Sequence, residues 1–358
     1  MILLQPALPT SGKELSLQIK SGETFTDCEF TSLDCSQQDL SGSVFSNTKF
    51  QDCHFNQCDL RQSLFNNCKF LNCTFSQLEC EDVNFIESYF ENAKFEHNQQ
   101  TQFNFITCNF ENTRFNNVNI EGGVFQQCDL SAAIFFESTI MAGVFNDCEL
   151  RDAEFEKCEF NRTVFNDCSF SHNRIIQCQF ALMFFSKANL SGIDFSSMQL
   201  SQSQLKDCNL KGCNFVKSQL QQSAFSGSSI QKCDFSEADM TLANLFECDL
   251  TGAQFKNTNL KQASLQKSKI IGCDLSKANF EMAQLKEAEI RLSILSRSKL
   301  IYADLSNSFI SECDFSGADV YMAKMHESFE EKCIWSGANK SSAQGTNEQL
   351  KKAEQWGK

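Results

Sequence analysis

From Phe25 to Met325 every fifth residue is a large apolar one, and nothing interrupts the phase. Sixty-one positions lie on this register, and all but Cys35, Cys80 and Gln100 are Phe, Leu, Ile, Met or Val. Thirty of the 36 phenylalanines sit on it. A period of five fits neither a helix face nor a plain strand, and a short fixed period held this long is the mark of a repeat architecture. The spacing predicts one elongated body in which each repeat contacts only its neighbours.

Within each repeat the residue two before the large one is small. In an extended segment these two point to the same side and the residue between them points outward. That outward residue is mostly polar, as at Asp39, Asp59, Asp129, Asn189, Asp249 and Asp319. Polar and small residues follow, where the chain can turn. Such a unit cannot bury its apolar side alone, so it must coil and stack.

The number of units per coil is also legible. Reading every twentieth residue from Phe25 to Phe185 gives nine phenylalanines in a row, whereas the series from Leu40 to Ile140 has none. Four pentapeptides per coil fits this pattern best. Stacked at the ~4.8 Å strand spacing, about 15 coils make a rod of roughly 70 Å. Segments such as Ala243-Asn244-Leu245, Ala278-Asn279-Phe280 and Ala303-Asp304-Leu305 resemble the A(D/N)LXX motif of the pentapeptide-repeat family, over residues 25–325. The resemblance implies an all-β fold, a right-handed, four-sided parallel β-helix with Phe and Leu stacked on its axis. It also implies two functional classes, neither enzymatic. One is a protein-binding scaffold, adaptor or secretion-system-associated component. The other is a cytoplasmic mimic of DNA that binds and shields a type II topoisomerase such as gyrase.

Three segments follow from the register: a capping segment over 1–24, the repeats over 25–325, and a fading coil, loose linker and short helix over 326–358. Leu15, Leu17 and Ile19 alternate with polar residues, so the cap reads as strand-like. Asn347 is placed to cap a helix through Gln355 with Leu350, Ala353 and Trp356 on one side. Pro6 and Pro9, the only prolines, precede the repeats, where a missing amide hydrogen breaks no ladder.

Twenty cysteines would ordinarily raise disulfides or zinc, but eighteen of them fall on the small position. They read as small buried hydrophobes, and so many free thiols suit a reducing compartment, a bacterial cytoplasm. No apolar run approaches the roughly 20 residues of a membrane span. No basic start or apolar core marks a secretory signal, which leaves export by a machine reading other signals open. The four histidines are scattered, and no catalytic, metal or cofactor motif appears.

Candidate contact residues come from departures from the rule. The outward residues Val44, Leu64, Val124, Val144, Val164 and Phe184 precede members of the nine-Phe ladder and make an apolar stripe; strand propensity alone is the competing explanation. At His97, Asn98 and Gln100 the small/large alternation fails, which reads as a distorted coil or as a projecting loop that meets a partner. Met282, Tyr302, Tyr321 and Met322 share one corner near the C-terminal end. They are read as the dock for the tail through Leu350 and Trp356, or as a homodimer contact of the kind some family members make. The net charge of −14 disfavours direct nucleic-acid or anionic-membrane binding. Its concentration in residues 25–125, with fourteen acidic and five basic residues, is what the DNA-mimic reading rests on.

Overall fold

The computed structural model describes residues 7–99 and 102–356. These form two compact units, Met1–Gln179 and Phe180–Lys358. Each is a parallel β-solenoid in which residue i pairs with residue i+20, so four pentapeptides close one coil; the units together hold about fifteen coils. The four faces are named here from the columns that contain Phe25 (first), Phe30 (second), Phe55 (third) and Leu40 (fourth).

In the first unit, eight parallel strands stack on the first face, from Phe25–Thr26 to Val164–Asn166. Successive rings along a face lie parallel and close: Phe45–Phe65 at 5.2 Å, Phe65–Phe85 at 4.7 Å and Phe125–Phe145 at 4.5 Å. Rings from adjacent faces meet edge to face, as Phe65 and Phe70 do at 5.6 Å. Each such pair adds about 0.5–1.5 kcal/mol beyond the area it buries. These rings line the axis, and nearly all the register residues are buried.

The small position has a second requirement that the sequence only hints at. Its side chain donates to the carbonyl of the large residue in the preceding coil. Ser63 Oγ reaches Leu40 O at 3.0 Å, Thr113 Oγ1 reaches Phe90 O at 2.8 Å and Cys148 Sγ reaches Phe125 O at 3.2 Å. Cysteine thus fits as a small apolar group carrying a weak donor. The cysteines are free thiols, seventeen of them buried. Burial pushes the Cys68 thiol up to about 11 and the Cys248 thiol up to about 12.

The chain turns at the second residue after each large one, and there φ is positive in nearly every repeat. Side-chain carboxamides and carboxylates tolerate this region best. They also ladder: Asn67 Nδ2 donates to Asn47 Oδ1 at 2.9 Å, and Asn47 Nδ2 to Asp27 Oδ1 at 3.0 Å.

The capping segment differs from the strand expected from Leu15, Leu17 and Ile19. It is a helix, α1 (Gly12–Lys20). Leu15 and Ile19 are buried one turn apart while Leu17 faces solvent, so the four-residue spacing overrides the alternation. Ser11 caps the first turn by accepting from Glu14 N, and Glu14 reaches back to Thr10 N at 2.8 Å. The helix lies tight on the first coil. A Cβ at Gly12 would come within 2.3 Å of Asp34 O, Ser16 Oγ donates to Asp39 O at 2.7 Å, and Lys20 pairs with Asp39 at 3.1 Å.

In the second unit Leu and Ile largely replace Phe on the axis, and most pairing is by single bridges. A turn that the first unit uses at some corners becomes general here: the small residue's N–H bonds the carbonyl three residues back, as from Ala253 to Leu250 at 2.9 Å. One regular sheet forms on the second face from Lys269–Ile271, Glu289–Arg291, Phe309–Ser311 and Phe329–Glu331. A final helix, α2 (Glu348–Gln355), has Asn347 as its cap, accepting from Gln349 N and Leu350 N.

The docking of α2 corrects one expectation. The helix does not pack on Met282, Tyr302, Tyr321 and Met322 through Trp356, which is 94% exposed; the segment before it meets Met322, whose N–H donates to Ser342 O at 2.9 Å and whose Sδ accepts from Gln344 at 3.6 Å. The helix is latched at the corner between the first and second faces. Buried His326 accepts from Asn347 N at its Nδ1 (3.1 Å), so its Nε2 carries the proton and donates to Glu354 (3.2 Å). Lys351 pairs with Glu327 at 2.8 Å. Leu350 lines a cavity of about 290 Å³ with Lys286, Asp304, Lys324 and His326. A short polar docking needs no apolar pattern, which is why the spacing of Leu350 and Trp356 misleads.

Candidate functional site

The outward residues of the first unit's first face form the predicted column. Register pairs run Val44–Leu64, Leu64–Asn84, Asn104–Val124, Val124–Val144 and Val144–Val164. Asn84 and Asn104 interrupt the column and hydrogen-bond each other at 3.2 Å. Its valines are only half exposed, flat against the sheet. Phe184 belongs to the second unit, where it pairs with Gln204 and is exposed.

The lapse near residue 97 is a substitution of chemistry at one site. His97 is exposed at a corner with φ +54°, and its Nδ1 accepts from Asn117 at 3.2 Å. Asn98 is buried: its Oδ1 accepts from Leu78 N at 2.9 Å and its Nδ2 donates to Phe75 O at 2.8 Å. Both ends of that buried side chain serve the preceding coil. Gln100 lies outside the described residues. Phe103, at the next small position, turns its ring into the core against Phe95 (5.8 Å) and Phe105 (5.2 Å).

The second unit carries a sharper feature at the corner between its fourth and first faces. Met282, Tyr302 and Met322 occupy the turn position in successive coils, with φ of +58°, +59° and +54°. A left-handed backbone disfavours bulky residues and elsewhere in this chain is given mostly to Asn, Asp, Gln, Lys or Gly. Met282 is 41% and Tyr302 46% exposed, and Tyr321 stands beside them with its ring 5.8 Å from that of Tyr302. Leu242 repeats the arrangement two coils earlier, exposed at φ +60°. Neither burial nor backbone preference explains large apolar side chains here.

The acidic residues are dispersed. Within one coil Asp27, Glu29, Asp34 and Asp39 fall on a corner and on the second, third and fourth faces. Several are already engaged. Glu29 pairs with Lys49 at 2.7 Å, Asp34 accepts from Ser36 N at 2.9 Å, and Asp39 accepts from Ser41 and Lys20. The Ser41 hydroxyl and amide, with Lys20 behind them, hold the Asp39 carboxyl down at about 2.

Among the described residues no group of three or more His, Cys, Asp or Glu is arranged to hold a metal, and no helix is long and apolar enough to cross a membrane. The sequence pattern missed an apolar cluster made by Leu292, Ile294, Phe309, Phe329 and Ile334. The twenty-residue spacing of Phe309 and Phe329, whose rings stack at 5.1 Å, is the signal that marks it.

Family models match much of the chain. One described as a pentapeptide repeat region matches residues 48–123 and 178–255, and one described as pentapeptide repeats (8 copies) matches 28–67, 243–281 and 293–328. Among solved structures, the pentapeptide repeat protein Rfr23 from the cyanobacterium Cyanothece 51142 is 22% identical over 29% of this chain and 86% of its own, with a TM-score of 0.28. HetL from Nostoc, involved in heterocyst differentiation regulation, is 21% identical over 65% of this chain and 90% of its own, with a TM-score of 0.22. QnrB1, a plasmid-mediated fluoroquinolone resistance protein, is 18% identical over 66% and 92%, with a TM-score of 0.27. A comparison with curated proteins finds no match.

Proposed function

This chain belongs to the pentapeptide-repeat family, and from that premise we propose that it is a non-enzymatic scaffold that binds another protein. The contact is the ridge of Met282, Tyr302 and Met322 with Tyr321. One observation carries this reading: bulky apolar side chains stand on a backbone conformation that disfavours them in three coils running, with Met282 and Tyr302 exposed and Met322 half-buried under Gln344. Strain kept where packing does not need it points to a contact made with something else. Tyr and Met supply contact area at low entropic cost and adapt to a partner's shape. A cytoplasmic adaptor and a secretion-associated component both fit such a surface. The valine column of the first unit is a flatter second contact.

The runner-up, an acidic mimic of DNA that engages a type II topoisomerase, needs charges in a line. Duplex DNA carries one charge per ~1.7 Å along its axis. Here neighbouring acids turn to different faces and several are tied into turns, which favours the scaffold.

The test places a photocrosslinking amino acid at Tyr302 and, separately, at Lys217 on a polar corner, and irradiates the protein in extract of the source organism. The expected result is one protein crosslinked from Tyr302 and not from Lys217, at low and at high salt. Crosslinking to a topoisomerase, from either position and at low salt only, would reverse the ranking. A product matching two copies of this chain would assign the ridge to a homodimer.

A further inference from the structure

The end of the second unit is closed on two faces and open on the other two. On the fourth face Val320 N donates to Asn339 Oδ1 at 2.7 Å, and on the first face Met325 N donates to Gln344 O at 2.8 Å, with α2 latched alongside. On the third face the amides of Leu275, Leu295 and Phe315 each donate to the coil that follows, all at 2.7 Å. Trp335 is next in that row, and among the described residues no coil follows it. On the second face Phe329–Glu331 pairs only with the strand before it. Backbone donors and acceptors therefore line an edge that runs across the second and third faces.

The side chains beside that edge are apolar. Phe329 is 52% and Ile334 54% exposed; Phe309 lies directly behind Phe329, while Asp314 separates Ile334 from Ile294, and Leu292 stands two coils back at the intervening corner on a left-handed backbone. The two charges on the edge coil itself neutralise each other, Lys332 pairing with Glu331 at 3.2 Å, while Glu312 and Asp314 lie one coil back. The floor of the coil is different. Trp335 stacks on Phe315 at 4.2 Å, its indole N–H donates to Glu330 at 2.6 Å, and Lys340 binds the same carboxylate while lying 4.6 Å from the ring centre.

These two halves select the occupant. Stacking another solenoid end would bury the Glu330–Lys340 pair, an unfavourable desolvation. A single extended segment needs only the rim. We propose that this edge binds an extended, near-neutral peptide of another protein, added parallel to Phe329–Glu331 and continuing past Ile334. Its amides take up the free carbonyls of the last coil, and two large apolar residues five positions apart cover Phe329 and Ile334. This is strand addition, in which backbone bonds give affinity and the outward side chains give selectivity.

The probe is a fluorescein-labelled peptide copying residues 307–318, carrying Asp314→Ile to present the second apolar residue and Cys313→Ser to prevent oxidation. Binding to the full chain is read by anisotropy and by hydrogen exchange. The expected result is saturable binding with protection of the Glu330 and Trp335 amides. Methylating the peptide nitrogen equivalent to Phe309, which requires no change to the protein, should weaken binding roughly tenfold or more. The double variant Phe329→Asp/Ile334→Asp should do the same while melting as the wild type does, since both side chains face outward. No saturable binding, or equal binding of the methylated peptide, overturns the proposal. So does concentration-dependent self-association that the double variant abolishes, which would give the edge to a second copy.

Discussion

Replacing Asn98 by Ala tests how the small position works. The side chain satisfies two groups in the coil before it, the amide of Leu78 at 2.9 Å and the carbonyl of Phe75 at 2.8 Å. Two coils later in the same column Ser138 does the same work: its Oγ accepts from Val118 N at 3.1 Å and donates to Phe115 O at 3.3 Å. Ala at position 98 leaves a buried N–H without an acceptor, about 1–3 kcal/mol, and removes a donor from a buried carbonyl, about 1 kcal/mol more. The expected loss is about 2–4 kcal/mol. Ser should restore both bonds and fall within about 1 kcal/mol of wild type. Solenoids can unfold in parts, so urea denaturation is paired with hydrogen exchange at the Leu78 amide. The Ala variant should lose protection there first, and neither variant should change partner binding. An Ala variant within about 0.5 kcal/mol of wild type would refute the reasoning.

Other expectations follow from the same geometry. Asp39 has a folded pKa of about 2, below its unfolded value, so its contribution is full above pH ~4 and is lost as pH falls from there towards 2. Acid titration should release α1 in that window, and Asp39→Asn should flatten the transition. In native protein at neutral pH a thiol reagent should modify at most Cys28, Cys178 and Cys333, the three half-buried cysteines; fast reaction of all twenty would contradict the buried ladders. Leu245→Lys places an unpaired charge on the axis and should leave the protein unfolded or aggregated by circular dichroism and light scattering. A soluble variant with wild-type melting would count against the packing.

The repeat and its four-per-coil closure were readable because the axis imposes one demand at every fifth residue and the face differences recur every twenty. Local exceptions were harder. Leu15, Leu17 and Ile19 satisfy both a strand and a helix pattern, and the choice lies in the cap formed by Ser11 and Glu14 and in the close approach at Gly12. Asn98 looked like a fault in the pattern because a carboxamide shares no apolar character with Cys or Ser; what it shares is the ability to bond a carbonyl and an amide 20 or so residues back. The ridge at Met282, Tyr302 and Met322 was visible as a spacing, but its left-handed backbone, which gives it meaning, is not a property of the letters. The tail's latch at His326 is polar and one-off, so no periodicity announced it.

The most direct test of the scaffold reading measures the affinity of the partner captured at Tyr302 at low and high salt. Three proteins are compared: wild type, Met282→Asp/Tyr302→Asp/Met322→Asp, and a variant neutralising Asp27, Glu29, Asp34 and Asp39. Apolar contact predicts affinity that holds in high salt, is lost with the ridge substitutions and is indifferent to the acidic ones. Affinity that collapses with salt and with the acidic substitutions, while the ridge variant binds normally, would contradict it.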